Sequence, residues 1–284
     1  MGGTNVDHTG ASDAPPAATE DAQGERGPLD FSIPTEFVDL PSEGRYYPEN
    51  HPLHGKETVE IKYMTAKEED ILTSPSLLKK GMTIDRLLRS ILMDKTIDPQ
   101  HLLSGDRNAI IIATRKTGYG EEYKARIGCP ACFNTSVWEV NLDDLDITEG
   151  GAQSATGYDV VENDDATFTV TLPKSKVKVG VKLFTGREEK ALSTAIEKRK
   201  KHKLDENNLT EQLRTMIVSV NGSRQISDIE RFINFVPAFD SKYLRNTYTK
   251  LMPNIDMTSD FECPECSYES PMEVPLTAEF FWPK

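Results

Sequence analysis

Hydrophobic and polar residues alternate along two segments of the chain, and each pattern predicts a β-strand. Apolar residues occupy every second position at Val59, Ile61 and Tyr63, and again at Val177, Val179, Val181 and Leu183. This period of two places the apolar side chains on one face of a strand. A Thr with a Glu three residues later follows each segment, at Thr65–Glu68 and at Thr185–Glu188. Both pairs have the form of a capping box, so each strand is predicted to lead directly into a helix.

The similarity between the two segments continues downstream. Leu88, Ile91 and Leu92 have the spacing of one helix face, as do Leu213, Met216 and Ile217. Between residues 106 and 142, matching residues recur 134 positions later, as Asp106 and Asp240, Ile110 and Leu244, Cys129 and Cys263, Cys132 and Cys266, and Leu142 and Leu276. We interpret this as an internal duplication. The alternative is that both segments follow a common order of elements without sharing a pseudo-symmetric fold.

The predicted fold class is therefore α+β, with two tandem pseudo-symmetric repeats at residues 31–147 and 166–284. Each repeat is expected to contain a β-hairpin, helices and a second hairpin that carries a cysteine knuckle. Residues 1–30 are rich in Gly, Ala, Pro and acidic residues and predict a flexible acidic tail. Residues 148–165 contain Gly150, Gly151 and Gly157 among small and acidic residues, which predicts a linker between the repeats.

The net charge of the chain excludes one class of binding partner. The chain has 284 residues and a formal net charge of −13, with 46 acidic against 33 basic residues. A protein that binds nucleic acid through its phosphates needs a positive surface, so we expect no nucleic-acid partner. No apolar run reaches the roughly 18 residues of a membrane-spanning helix, and the N-terminal residues do not resemble a signal peptide. We therefore expect no membrane span and an intracellular site of synthesis.

All four cysteines lie in two Cys-Pro-x-Cys motifs, Cys129–Cys132 and Cys263–Cys266. Two such knuckles together supply four thiolates, the number that a tetrahedral structural zinc ion requires. The separation of about 130 residues is far longer than in a local zinc ribbon, but a duplicated fold would bring the knuckles together across its pseudo-two-fold axis. We predict that Cys129, Cys132, Cys263 and Cys266 share one structural zinc ion per chain.

Other chemistry remains open for these motifs. A redox-active CxxC sits at the start of a helix, where the helix dipole lowers the thiol pKa, whereas strand-like Val137–Val140 follows the first motif here. A disulfide, or knuckles that have lost their metal, are further alternatives.

Gly105 is interpreted as the end of one helix and Asp106 as the N-cap of the next helix. Asp240 is assigned the same N-cap role in the second repeat.

A series of motifs in the first half resembles a known family. In order, they are Phe37-Val-Asp-Leu-Pro-Ser-x-Gly-x-x-Tyr47-Pro, Val59-Glu-Ile-x-Tyr-Met-Thr-Ala-Lys-Glu-Glu-Asp-Ile-Leu72, Ile97-Asp-Pro, Leu103-x-Gly-Asp-Arg-Asn-Ala-Ile110, Gly118-Tyr-Gly-x-x-Tyr123 and the first Cys-Pro-x-Cys. This ordered set resembles the baseplate proteins of T-even-type myoviruses, a family of bacteriophage proteins that includes the baseplate hub assembly protein. The resemblance is dense from Phe37 to Cys132 and thinner in the second half.

The resemblance implies a non-enzymatic component of a contractile tail. Such a protein is made in the host bacterial cytoplasm and either sits in the virion baseplate or helps to assemble its hub, within a symmetric hetero-oligomeric assembly of baseplate and tail proteins. One alternative is a tail-assembly chaperone that is absent from the mature virion. A more distant alternative is a CxxC thiol oxidoreductase, which would need an exposed and reactive Cys129 or Cys263.

Overall fold

The computed structural model describes residues 1–2, 32–201, 208–275 and 278–281. The tail predicted for residues 1–30 lies outside these ranges apart from its first two residues. The predicted mixture of helices and strands is confirmed. Pro34–Lys284 form one compact unit, and the buried apolar residues of both predicted repeats contribute to a single core.

The first block contains two antiparallel hairpins separated by helices. Its elements are Thr35–Asp39 (β1), Thr58–Lys62 (β2), Ala66–Thr73 (α1), Pro75–Lys79 (α2), Thr83–Ile91 (α3), Ser104–Tyr119 (α4), Glu122–Gly128 (β3) and Thr135–Asn141 (β4). A 3₁₀ turn at Leu142–Asp144 follows. β1 pairs with β2, and β3 pairs with β4.

The predicted linker contains regular structure. Ile147–Thr148 (β5), Gly151–Ser154 (α5) and Val160–Glu162 (β6) lie in or at the edge of residues 148–165. The Asp159 amide donates to the Tyr243 hydroxyl at 2.9 Å, and the rings of Tyr158 and Tyr243 lie 4.9 Å apart. Because these partners lie more than 80 residues away, local composition alone could not indicate them.

The second block also begins with a strand pair, continues through four helices and ends in a knuckle hairpin. It contains Thr167–Thr171 (β7), Lys178–Lys182 (β8), Gly186–Lys201 (α6), Asn208–Met216 (α7), Ile217–Val220 (β9), Ile226–Phe235 (α8), Ala238–Leu251 (α9), Asn254–Ile255 (β10), Thr258–Glu262 (β11) and Glu269–Glu273 (β12). A 3₁₀ turn at Ala278–Phe281 follows. β6, β7, β8 and β9 form an antiparallel sheet in that order, β5 pairs with β10, and β11 pairs with β12. At the corresponding places in its element order, the first block as described has no strands like β9 and β10.

Both predicted strand-to-helix junctions are confirmed, with a complete capping box at Thr65–Glu68 and the return hydrogen bond from the Thr185 amide to Glu188 at the second junction. The Thr65 amide donates to Glu68 Oε2 at 2.9 Å, and the Thr185 amide donates to Glu188 Oε2 at 3.0 Å. A lysine at the end of the preceding strand pairs with the other carboxylate oxygen in each case, at 2.7 Å in the first block and 2.9 Å in the second. Each junction therefore fixes the direction in which the helix leaves its strand.

The interpretation of Gly105 and Asp106 as helix end and N-cap is wrong. α4 begins at Ser104, so both residues lie within its first turn. α9 begins at Ala238, so the N-cap role predicted for Asp240 is wrong for the same reason. A Cβ at Gly105 would lie 1.9 Å from the carbonyl oxygen of Pro253, so glycine is required because α4 and the β10 segment approach closely. The Asp106 carboxylate is fully buried and accepts hydrogen bonds from the loop that follows β1.

A buried arginine holds the C-terminal turn against the first block. Arg115, which is 2% exposed, donates from Nε to the Phe280 carbonyl at 2.9 Å. Its other nitrogens donate to the carbonyls of Gly120 at 2.9 Å and Glu122 at 3.1 Å. The C-terminal Phe280 and Phe281 are each 1% exposed.

Within the described ranges, no helix is long and apolar enough to cross a membrane.

Candidate metal centre

The first cysteine knuckle is the tight connection between β3 and β4. Cys129 directly follows β3, its amide donates to the Asn134 carbonyl at 2.9 Å, and the Phe133 amide donates back to the Cys129 carbonyl at 2.9 Å. Phe133 has a φ of 62°, a left-handed conformation that closes the turn. This backbone arrangement directs the sulfurs of Cys129 and Cys132 toward the same side.

The second knuckle repeats these contacts between β11 and β12. The Cys263 amide donates to the Tyr268 carbonyl at 2.9 Å, and the Ser267 amide donates to the Cys263 carbonyl at 2.9 Å. Ser267 has a φ of 53°. Each hydrogen bond and each left-handed residue therefore has its equivalent in the first knuckle.

The fold brings the four predicted cysteine ligands together. Their sulfur atoms all lie within 4.8 Å of one another. Across the two knuckles, the Sγ–Sγ distance is 3.8 Å from Cys129 to Cys266 and 3.7 Å from Cys132 to Cys263. A tetrahedral ion with metal–sulfur bonds of about 2.3 Å requires sulfur–sulfur distances of roughly 3.8 Å. The donor set and its spacing therefore fit one tetrahedral metal ion, and the separations are too long for a disulfide.

Neighbouring thiols and backbone amides shift the pKa values of cysteines in this cluster in opposite directions. Although burial opposes it, hydrogen bonds from the backbone amides of Cys132 and Ala131 lower the pKa of Cys129 to about 7. The Tyr268 amide favours the Cys266 thiolate, but burial and the three neighbouring thiols outweigh it and raise the pKa of Cys266 to about 12. A bound cation would remove this repulsion and allow all four sulfurs to ionise.

Packing beside the sulfurs holds the two knuckle hairpins together. Trp138 of β4 lies edge-to-face against Phe261 of β11, with ring centroids 6.0 Å apart. The Trp138 indole N–H also donates to the Asp260 carbonyl at 3.0 Å. Cys129 and Cys263 are each 1% exposed, Cys132 is half-buried and Cys266 is exposed. The centre therefore lies at the junction of the two blocks, with one side open to solvent.

Sequence reasoning did not identify these supporting residues. Trp138 has a strand-like setting in the sequence, but its partners lie more than 120 residues away. The first motif follows one strand and precedes another, so it is not at the N-terminus of a helix. This position differs from that of a redox-active CxxC.

Comparison with known families gives one match. A family model described as T4 bacteriophage base plate protein matches residues 35–282. The match spans both blocks and both knuckles. This chain belongs to the T4 baseplate protein family.

The baseplate family connects the chain with the tail of a bacteriophage virion and with other phage proteins. No curated protein matches the chain, and no solved structure matches it.

Proposed function

We propose that the chain is a structural subunit of the baseplate hub region of a contractile phage tail and acts through protein contacts rather than catalysis. The family match over residues 35–282 is the observation that carries the baseplate role. The resemblance of the first-half motifs to a family that includes a hub assembly protein supports the hub region. The proposal includes assembly in the host cytoplasm and a place in a symmetric hetero-oligomer.

The contacts of buried acidic groups support a structural role. Asp106 accepts from Ser42 and Tyr47, while Glu68 accepts from the Lys62 ammonium and from the Thr65 amide and hydroxyl. The Glu68 carboxylate connects β2 to α1, and the Asp106 carboxylate connects α4 to the loop after β1. Their shifted pKa values have a structural cause and do not require a role in proton transfer.

We infer that zinc is the metal of the four-cysteine centre and that it clamps the two blocks together. Sulfur–sulfur distances of 3.7 and 3.8 Å support one ion shared by both knuckles. Zinc is favoured because an all-thiolate tetrahedral site without an open position is typical of structural zinc. A structural zinc ion contributes roughly 10–16 kcal/mol of apparent binding free energy, which would dominate the contact between the blocks.

We also propose that the two blocks arose by duplication of a half-sized ancestor, with repeats at residues 31–147 and 166–284 and a connection between them. The strands of the β1–β2 and β7–β8 pairs have the same length and register, which supports this, since Thr35 lies opposite Lys62 as Thr167 lies opposite Lys182. The connections differ in length, being residues 40–57 and residues 172–177. The matching hydrogen bonds at the strand-to-helix junctions and in the knuckles support it further. In an ancestral dimer, each subunit would have supplied one knuckle.

Quantitative mass spectrometry of purified virions tests the baseplate role. The chain is counted against a tail protein of known copy number. A reproducible integral ratio is the expected result. Absence from mature particles would contradict the proposal and favour a tail-assembly chaperone.

Metal analysis of two double variants tests the shared ion. We expect one zinc per wild-type chain and none in either Cys129→Ser/Cys132→Ser or Cys263→Ser/Cys266→Ser, because each knuckle alone supplies half of the ligands. Phe133→Ala, which changes an exposed side chain of the first knuckle, is the matched control and should retain its zinc. Full zinc retention in either double variant would show that the knuckles do not share one ion.

A further inference from the structure

The outer edge of β1 carries unpaired backbone groups in the part of the chain that the structure describes. The Tyr63 amide donates to the Pro34 carbonyl at 2.9 Å, and the Leu40 amide donates to the Glu57 carbonyl at 2.8 Å. Because hydrogen-bonded residues alternate along an antiparallel pair, Glu36 and Val38 also face β2. The N–H and C=O groups of Thr35, Phe37 and Asp39 therefore point away from β2.

In the second block, the equivalent strand edge, that of β7, is paired with another strand. β7 is paired with β8 in the register that β1 has with β2, so Thr167, Thr169 and Thr171 are the equivalents of the outward residues of β1. There, the Thr171 amide donates to the Asp159 carbonyl at 2.9 Å, and the Asn163 amide donates to the Thr167 carbonyl at 2.9 Å. β6 thus covers the edge of β7, whereas no described strand covers the edge of β1.

A groove of about 420 Å³ runs beside this open edge. It is lined by β1, by one side of α4, and by apolar residues after β4 and in β10, including Leu142, Leu145 and Ile255. Phe37, whose backbone faces outward, is 70% exposed. The groove therefore offers both unpaired backbone groups and apolar side chains to an added strand.

The groove has an excess of negative charge. It is lined by the carboxylates of Glu36, Asp39, Glu121 and Asp143. Lys116 is the only cation among the described residues that line it, and its ammonium pairs with Asp143. An occupant with basic side chains would compensate the remaining carboxylates.

We propose that the outer edge of β1 binds an extended, basic segment of a neighbouring baseplate chain by strand addition. The identity of the neighbour as a baseplate protein rests on the proposed function. The chain's own N-terminal segment is disfavoured by charge, because residues 1–31 contain six acidic residues and a single arginine. A second copy of β1 is disfavoured for the same reason, since pairing two such edges would bring two acidic grooves together.

Amide hydrogen exchange tests the proposal on the full-length chain, free and within isolated baseplates. We expect the outward amides of Thr35, Phe37 and Asp39 to exchange at least roughly tenfold more slowly in the baseplate than in the free chain. The amides of Thr169 and Thr171, which face β6 in both states, are the internal control and should be protected throughout. Absence of the chain from baseplates would overturn both this inference and the proposed function. Presence of the chain with unchanged exchange at β1 would overturn the inference alone.

A deletion of residues 1–31 separates an intramolecular occupant from a neighbour. Because Pro34–Lys284 form one compact unit, the deletion leaves the β1 hairpin complete. We expect exchange at β1 in the free chain to be the same with and without the deleted segment. Protection in the free full-length chain that the deletion removes would overturn the proposal and identify the N-terminal segment as the occupant.

A photocrosslinking phenylalanine analogue at position 37 identifies the bound segment, since this exposed site tolerates a larger ring. The expected product joins position 37 to a Lys- or Arg-bearing extended segment of another baseplate chain. A crosslink to an acidic segment, or to this chain itself, would overturn the proposal.

Phe37→Pro removes an outward N–H and should reduce incorporation into baseplates at least about tenfold, whereas Phe37→Ala retains that N–H and should be incorporated. Equal incorporation of the two folded variants would also overturn it.

Discussion

Replacing Asp106 with Ala should cost much of the protein's stability, because one buried carboxylate connects α4 to the loop after β1. The carboxylate accepts from the Ser42 amide at 2.9 Å, the Ser42 hydroxyl at 2.6 Å and the Tyr47 hydroxyl at 2.7 Å. Tyr47 in turn accepts from the Leu103 amide at 3.0 Å. The loop and the start of α4 thus share one hydrogen-bond network.

The magnitude follows from the donors that the substitution leaves without a partner. Each buried, unsatisfied donor costs about 1–3 kcal/mol. Because two of the three donors belong to Ser42 and its hydroxyl can rotate, we expect Asp106→Ala to lower the free energy of unfolding by about 3–5 kcal/mol. Since domains are typically stable by only about 5–15 kcal/mol, such a loss is severe.

Asp240→Ala is the matched control, since Asp240 lies at the equivalent position of α9. Its carboxylate accepts from the amides of Lys174 at 3.0 Å and Ser175 at 2.8 Å, and both of those residues are exposed. Water can replace the lost acceptor for these amides, so we expect a smaller cost of about 1–2 kcal/mol.

The two aspartates should also differ in their dependence on pH. Burial raises the pKa of Asp106 above its ordinary value of 3.8, so the stability linked to its titration is present below that value and is lost as pH rises through the raised pKa. For Asp240, burial is outweighed by hydrogen bonds from Ser175 and Lys174, which lower its pKa. Its contribution is therefore present above pH 3.8 and is lost as pH falls through the lowered pKa.

Urea unfolding of the wild type and both variants, at pH 7 and again near pH 3, measures these quantities. An equal cost of Asp240→Ala and Asp106→Ala at pH 7 would contradict the greater burial of the Asp106 network. Costs of the two substitutions that change with pH in the same direction would contradict the opposite pKa shifts.

Three further predictions concern other buried contacts. Burial raises the pKa of Glu68, but hydrogen bonds from a lysine, a serine and a threonine outweigh burial and lower the pKa from 4.5 to about 2. The free energy of unfolding of the wild type should therefore fall by about 2–3 kcal/mol as pH drops through this range. Acid titration of the urea midpoint should show a smaller fall in Glu68→Gln. In Gly105→Ala, the new Cβ would lie 1.9 Å from a backbone oxygen, so we expect the free energy of unfolding to fall by about 3 kcal/mol or more. Gly128→Ala has open space at its Cβ and should change the free energy of unfolding little. Equal effects in calorimetry would contradict the close approach at α4. Arg115→Lys removes the planar guanidinium that donates to three carbonyls, so we expect the free energy of unfolding to fall by about 2–4 kcal/mol. Protease cleavage near Phe280 should become faster. Unchanged resistance to the protease would contradict the role of Arg115 in anchoring the C-terminal turn.

The sequence by itself determined those features that depend on near neighbours. A capping box spans three residues and a knuckle spans four, so their geometry follows from short-range hydrogen bonds that the residue types already specify. The junctions at Thr65 and Thr185 were therefore correctly predicted. The recurrence of Cys129 and Cys132 at Cys263 and Cys266 also indicated which sulfurs belong together, because equivalent positions of a duplicated chain have equivalent settings.

Only the tertiary structure decided which distant segments meet. The closeness of Gly105 to Pro253, the burial of Arg115 beneath Phe280 and the pairing of β6 with β7 depend on where whole elements pack, and no local pattern encodes those positions. The same holds for the exposed edge of β1, since an unpaired strand and a paired strand have the same alternation of apolar residues. Local hydrogen bonding decides the type of an element, whereas burial against residues far along the chain decides its partners.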